Sequence, residues 1–389
     1  MLSREDNELM TCIGPGTPAG ALLRRYWQPI AAATELTDEK PIMTLRILGE
    51  DLVLYKGTDG SYGLVAEQCA HRFASLSYGR VEGNCIRCPY HGWKYDAEGH
   101  CVEMPAEPNV TAFADKVVQT AYPVRHLGGM LFAYMGPAPA PALPKWDVLA
   151  WRHGRRWIRK FAVLNCNWLQ CMENSVDPSH LYWLHGSSAH LAKVMDHYDE
   201  QHDFITFDYG IMKRRTTAAA KPGGRPMIDQ HPLLFPNILR HVATAKGSRA
   251  RRHNLQCRIP VDDTHTQIYI VNFQPDSAVV TAPDAEVPME HFNFRDDTGR
   301  FRMDQVPAQD AMAWETQGAV MDRTRERLGA ADRGIVTYRR LLKQQIELVQ
   351  AGGTPLGVVA AEAEKPIIEL EVINERIGLE RPEKVRGAA

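Results

Sequence analysis

Between Ile42 and Cys69 the chain alternates apolar and polar residues, IMTLRILGEDLVLYKGTDGSYGLVAEQC, with GED and TDG interrupting the run. A period of two with Gly/Asp punctuation predicts short antiparallel strands joined by tight turns. YDAEGHCVEMP and YPVRHLGGMLFAYMG continue the pattern to about residue 135, so a small antiparallel β unit is expected over 40–140. A helical and loop segment, 1–39, precedes it, and Ser3 and Asp6 have the spacing of a helix N-terminal cap. GPGTPAG (14–20) reads as a plain turn, because its prolines and the lack of a preceding strand do not suit a dinucleotide loop. GPAPAPALP (136–144) is stiff and extended, a natural boundary.

Beyond that boundary the period changes. NWLQCMENSVDPSHLYWLH (167–185) is helical apart from Pro178, and strand-like alternation returns at 203–216 and 255–273. QDAMAWETQGAVMDRTRERL (309–328) and VTYRRLLKQQIELVQAG (336–352) carry the apolar stripes of amphipathic helices. Residues 141–389 are expected to form a larger α+β domain without internal repeats. Hydrophobic content of 44% and charged content of 24% describe an ordinary globular chain. The net charge of −2 gives no basis for binding nucleic acid or an anionic membrane surface. No apolar run approaches the ~20 residues that span a bilayer, and MLSREDNELM lacks the layout of a signal peptide. A cytoplasmic location is the expectation.

The chemistry concentrates in CAHRFASLSYGRVEGNCIRCPYHGW, residues 69–93. Cys69 and His71 form a C-X-H pair and Cys88 and His91 a C-X-X-H pair, sixteen residues apart. Two Cys and two His suit tetrahedral zinc, but zinc fingers usually place the two His together on a helix. Here each half falls in a turn between expected strands, so two loops offer one Cys and one His apiece. That symmetry suits a two-iron cluster with both thiolates on one iron and both imidazoles on the other. Pro89, Tyr90, Gly92 and Trp93 would supply a tight turn and an apolar cover. Cys85 and Cys101 fall outside the pattern. A cluster of this kind moves single electrons, so the larger domain needs a site that uses them. Asp177, His180 and His185 are the candidates, although two His on one helix are often only surface polarity. On an ideal helix His185 lies about 140° round from His180, so both imidazoles can meet one metal only if the helix is distorted near Pro178.

Both stretches resemble the Rieske non-haem iron oxygenases, and the resemblance runs from the N terminus to about residue 346. Residues 69–91 match the family's cluster pattern, and Glu173, Asn174, Asp177, His180 and His185 match its E-N-X-X-D-X-X-H-X-X-X-X-H signature. The segment DRTRERLGAADRGIVTYRRLL points to the branch containing phthalate dioxygenase and the aryl-ether O-demethylases. The resemblance implies an antiparallel β Rieske domain followed by an α+β, helix-grip-like catalytic domain, assembled as a homotrimer or stacked hexamer. It implies a Rieske 2Fe-2S cluster held by Cys69, His71, Cys88 and His91, and a mononuclear Fe(II) held by His180, His185 and a carboxylate. Two His and one carboxylate leave open positions for O2. Asp310 best fits the third ligand, since QDAMAWETQG resembles the family's late helix; Asp304, Asp262, Asp263 and Asp322 are the alternatives. Asp177 is implied to bridge His180 to a Rieske His of the neighbouring subunit rather than to bind iron.

The implied reaction is reductive O2 activation that hydroxylates an aromatic compound, foremost ring dihydroxylation of an aromatic carboxylate, alternatively O-demethylation of a methoxylated aromatic acid. No flavin or NAD signature is visible, so NAD(P)H and flavin are expected only through a separate reductase. Pro178 stands where the phthalate enzymes have Ser, which argues against phthalate itself. Arg214, Arg215 and Arg240 are the basic candidates for a substrate carboxylate. A pure electron carrier or a zinc hydrolase are the readings from other classes; the first leaves Asp177, His180 and His185 unexplained, and the second would be colourless.

Overall fold

The computed structural model describes residues 2–108, 113, 116–186, 200–218, 224, 226–244, 250–360 and 366–375. The C-terminal end of the expected 141–389 domain, from 376 onward, lies outside the described residues.

Ser3 caps the first helix, Arg4–Thr11, its Oγ accepting from the Asp6 N–H at 3.0 Å. The plain-turn expectation for 14–20 covers only its first half. Thr17 Oγ1 accepts from the Gly20 N–H and Pro18 opens a helix, Pro18–Leu23, since a proline at the first helical position has no N–H to lose. Both helices pack against the last long helix, Arg333–Gln350. That helix buries Tyr338, Leu342, Ile346 and Val349, spaced four, four and three residues apart, and exposes Arg340 and Glu347, while Arg339 is buried.

The strands β1 (Trp27–Ala32), β2 (Ile42–Ile47), β3 (Glu50–Lys56) and β4 (Tyr62–Ala66) are followed by β5 (Arg80–Glu82), β6 (Cys85–Arg87), β7 (Lys94–Tyr95) and β8 (Cys101–Glu103). Then come β9 (Ala121–Tyr122), β10 (Val124–Leu127) and β11 (Met130–Tyr134). They form three small antiparallel sheets, ordered β1-β11-β10, β2-β3-β4-β9 and β5-β6-β7-β8. The alternation read at 42–66 is the β2-β3-β4 meander, with Val53, Leu54 and Leu64 fully buried.

The second half is built on one large sheet. Its strands are β12 (His153–Phe161), β13 (Glu200–Phe207), β14 (Gly210–Thr217), β15 (Met227–Leu234), β16 (Ile238–Thr244), β17 (Arg251–Asp262), β18 (His265–Val280), β19 (Met289–Phe292) and β20 (Ile373–Asn374). Among the described residues the order is β13-β14-β15-β16-β17-β18-β12-β19, with β20 beside β15. All pairings are antiparallel except β12 with β19. The mixed α+β architecture agrees with expectation, but β12, β15 and β16 carry too many charged and polar residues to read as strands from period alone. The helix expected over 309–328 is a shorter one, Val306–Glu315. Gly318 adopts φ +96, a left-handed conformation that ends helices. The chain beyond it runs irregularly to Gly329. The halves meet where Leu48 and Gly49 donate to the Pro260 and Val261 carbonyls and Tyr269 donates to Glu35.

Candidate active site

The helix Trp168–Val176 stops because Pro178 has no N–H and forces the preceding residue into extended conformation; Asp177 has φ −88 and ψ 113. The Asp177 carboxylate then accepts from the Ser179 N–H at 2.7 Å and the His180 N–H at 3.3 Å, starting a fresh turn, His180–Trp183. This is the distortion that the spacing of the two His required. Their rings meet edge to face with centroids 5.3 Å apart.

Asp310, from the helix Val306–Glu315, completes the group. Its Oδ1 lies 3.3 Å from His185 Nε2 and 3.8 Å from His180 Nε2, and one ligand atom from each of the three residues lies within 4.8 Å of the others. The other candidate carboxylates are engaged elsewhere. Asp262 binds Thr264 and His265, Asp263 accepts from the Ile13 N–H, Asp304 pairs with Gln305 at the surface, and Asp322 caps Thr324.

Ring orientation shows that the group fits a cation. Gln309 Nε2 donates to the Met303 carbonyl, which leaves its Oε1 to accept from His185 Nδ1–H at 2.8 Å. His185 Nε2 therefore carries a lone pair, and it faces a carboxylate at 3.3 Å. Two electron-rich atoms held that close repel each other unless a proton or a metal cation lies between them, and Asp310 raises the affinity of His185 for either. On the other side, His180 Nδ1 sits 3.4 Å from Asp177 Oδ2. Burial pushes the Asp177 carboxyl up, but His180, the Ser179 amide and Lys213 outweigh it and hold the group below its usual range. Gln309 was not singled out from sequence; only its place beside Asp310 hinted at it. Lys213 was also missed. Its Nζ donates to the Ser175 carbonyl at 2.8 Å, and burial pushes the amine down to about 8.

In the first half, two turns present the second group. The Phe73 N–H donates to the Cys69 carbonyl and the Gly92 N–H to the Cys88 carbonyl, so each Cys-His pair lies in a tight loop. Gly92 has φ +76, which a side chain would strain. Cys69 and Cys88 are buried, the His71 and His91 rings are 4.7 Å apart, and buried His91 Nδ1 has no hydrogen-bond partner. Four converging donors with an orphaned imidazole nitrogen fit a two-iron cluster. Trp93 stacks on His71 at 4.2 Å and Tyr90 covers His91 at 3.8 Å. The Tyr95 hydroxyl lies 3.2 Å from Cys69 Sγ, a contact that the sequence pattern did not reveal. Cys85 and Cys101 are free thiols.

The three candidate arginines have internal partners. Arg240 is 1% exposed and clamps Asp147 through Nε and Nη2. Arg214 donates to Gln230, and Arg215 binds Asp229 at 2.5 Å. None reaches the His180, His185, Asp310 group by a described contact.

Comparison with known proteins places both halves of the chain in known families. Residues 26–114 match the Rieske [2Fe-2S] domain, and residues 291–376 match the family described as LigXa C-terminal domain like. The chain is 38% identical over 384 residues to the 5,5'-dehydrodivanillate O-demethylase oxygenase subunit of Sphingobium sp. (strain NBRC 103272 / SYK-6), covering 96% of this chain and 87% of that one. The chain belongs to the Rieske non-haem iron oxygenases. It is also 32% identical to the phthalate 4,5-dioxygenase oxygenase subunit of Pseudomonas putida, covering 92% of this chain and 89% of that one. Among solved structures, NdmA from Pseudomonas putida CBB5 has the same fold, with TM-score 0.66 and 20% identity over 90% of this chain and all of that one. The Rieske oxygenase described here is thus the oxygenase component of a multicomponent system, an oxidoreductase with a Rieske 2Fe-2S cluster and a mononuclear iron. As an oxygenase component it works with a separate reductase. No helix among the described residues is long and apolar enough to cross a membrane.

Proposed function

We propose that this Rieske oxygenase O-demethylates a methoxylated aromatic acid at a mononuclear iron held by His180, His185 and Asp310. The observation that carries the site assignment is the His185–Asp310 pair, in which Gln309 turns a lone pair toward a carboxylate 3.3 Å away. The iron, when bound, supplies reductive activation of O2 beside the substrate. The protein's own groups orient the ligands: Gln309 fixes His185, Asp177 faces His180 Nδ1, and Asn174 Nδ2 donates to Asp310 at 3.5 Å. Cys69, His71, Cys88 and His91 hold the cluster in a domain spanning about 40–140, and the catalytic domain follows from about 141.

Asp177 connects His180 to the cluster of a neighbouring chain, within a homotrimer or stacked hexamer. Its carboxylate offers acceptors toward two imidazoles at once. O-demethylation is favoured by the 38% identity to an O-demethylase subunit. Ring dihydroxylation of an aromatic carboxylate is the second reading, favoured by the relative named as a phthalate 4,5-dioxygenase. The test is turnover with a coupled reductase on methoxybenzoates and on unmethoxylated benzoates. Formaldehyde released in proportion to O2 consumed supports O-demethylation; diols without formaldehyde replace it with the second reading.

A further inference from the structure

Strand β7 (Lys94–Tyr95) follows the second Cys-His loop directly. The loop is closed by the Cys88 N–H donating to the Trp93 carbonyl at 2.8 Å, and Trp93 stacks on His71. Two residues on, Tyr95 pairs with Ile86 of β6 on one side and with Cys101 of β8 on the other. Its ring is fully buried in a core shared with Val53, Leu76, Ile86 and Met104. The strand pairing and that packing fix where the hydroxyl ends, 3.2 Å from Cys69 Sγ. The hydroxyl has no other hydrogen-bond partner among the described residues.

A hydroxyl and a free thiol can share a hydrogen bond in either direction. A sulfur that binds iron is a thiolate with no proton to give, so against a cluster ligand the phenol is the donor. Reduction adds one electron to the cluster, and part of the added charge falls on the ligand sulfurs. A donor aimed at one of those sulfurs therefore stabilises the reduced cluster more than the oxidised one and raises its potential. Tyr55 supplies the contrast. It is buried in the same core, but its hydroxyl donates to the Asn84 carbonyl at 3.3 Å and not to a ligand sulfur.

We infer that Tyr95 is a positioning residue for electron flow, whose hydroxyl donates to Cys69 Sγ and raises the reduction potential of the Rieske cluster. The cluster then takes its electron from the separate reductase more completely than the four ligands alone would allow. One electron enters at each reduction, no bond of the protein breaks, and the phenol keeps its proton. The inference rests on the assignment of Cys69 as a cluster ligand and is independent of the substrate.

Potentiometric titration of the purified full chain, following the paramagnetic signal of the reduced cluster, reads this without turnover. Tyr95→Phe keeps the ring and its packing and loses only the oxygen. Its reduction equilibrium shifts toward the oxidised cluster by about tenfold, or about 59 mV for one electron, with iron content unchanged. Tyr55→Phe, which removes a buried hydroxyl from the same core, stays within about twofold of wild type. An unchanged potential in Tyr95→Phe overturns the inference. An equal shift in Tyr55→Phe does so too, because the effect would then belong to core packing. Failure of Tyr95→Phe to assemble a cluster also overturns it, since the hydroxyl would then serve assembly and not the potential. A cluster that persists in Cys69→Ala is a separate outcome, which removes the ligand assignment itself and the role of Tyr95 with it.

Discussion

Asp177 occupies the point where one helix ends and the next turn begins, and its carboxylate serves both. It accepts from the Ser179 and His180 amides and faces His180 Nδ1 at 3.4 Å. Asp177→Asn keeps one acceptor oxygen for the turn but replaces the other with a donor. The expected result is near-normal iron content, an intact cluster spectrum and normal reduction of the cluster, with product formation reduced by orders of magnitude. Single turnover of pre-reduced protein with substrate and O2 checks it: the cluster should stay reduced, and rapid reoxidation coupled to product would remove Asp177 from the electron path. Gln309 acts one step further out. Gln309→Leu removes the acceptor that fixes the His185 ring, so affinity for the mononuclear iron should fall about 10- to 100-fold, read by iron retention against a chelator while the cluster colour is unchanged.

The helix Trp168–Val176 that carries Asp177 is held from beneath by a buried charge cluster. Glu173 takes Nε and Nη2 of Arg323 at 2.7 and 2.8 Å and Nε of Arg339 at 2.6 Å, while Arg339 also pairs with Glu326. Three separate segments are thereby pinned at one point: this helix, the irregular chain after Gly318, and the helix Arg333–Gln350. Burial pushes the Glu173 carboxyl up, but the two guanidiniums outweigh it and hold it below its usual range. Its contribution to stability is therefore complete above the ordinary glutamate range near ~4.3 and is lost as pH falls through its depressed folded value. Glu173→Gln leaves two buried guanidiniums short of charge and should cost about 3 kcal/mol or more. Thermal melting at neutral pH measures it, and an unchanged melting temperature would contradict the argument. The motif match drew attention to Glu173, but not to what it does. The helix expected over 309–328 was misjudged for the same reason: Arg323 is drawn inward by Glu173, a residue 150 positions away.

Across the whole molecule, the two metal-binding groups draw on separate ligands from separate halves. Purified chain should hold about three irons, two in the cluster and one mononuclear. Cys69→Ala should remove the visible absorption while the mononuclear site still takes up iron, and Asp310→Ala should do the reverse; metal analysis beside the dithionite-bleachable spectrum distinguishes them. Full iron occupancy and turnover in Asp310→Ala would return the third ligand to the other carboxylates. NADH with the purified chain alone should give no product, and adding the reductase should restore it.

The ligands that could be read in the sequence are those fixed by local geometry. A C-X-H and a C-X-X-H each fit within one turn of chain, and Pro178 breaks a helix through its own covalent structure, so the cluster loops and the His pair announce themselves at short range. The β2-β3-β4 meander was legible because alternation and turn residues are local as well. Long-range pairing was not. Asp310 meets His185 across 125 positions, and only the family resemblance of QDAMAWETQG, not local geometry, put it ahead of Asp304. Lys213, His231 and His241 sit on three different strands and become neighbours only through sheet register. Arg214 and Arg215 looked like a substrate fork because adjacent charges stand out in a string. Strand alternation sends them to opposite faces, where Gln230 and Asp229 take them up. Local sequence thus set which groups can bind metal and where helices break, while tertiary packing decided which carboxylate faces the imidazoles and which polar groups are left unsatisfied, because the burial and charge matching behind both choices come from residues far apart in the chain.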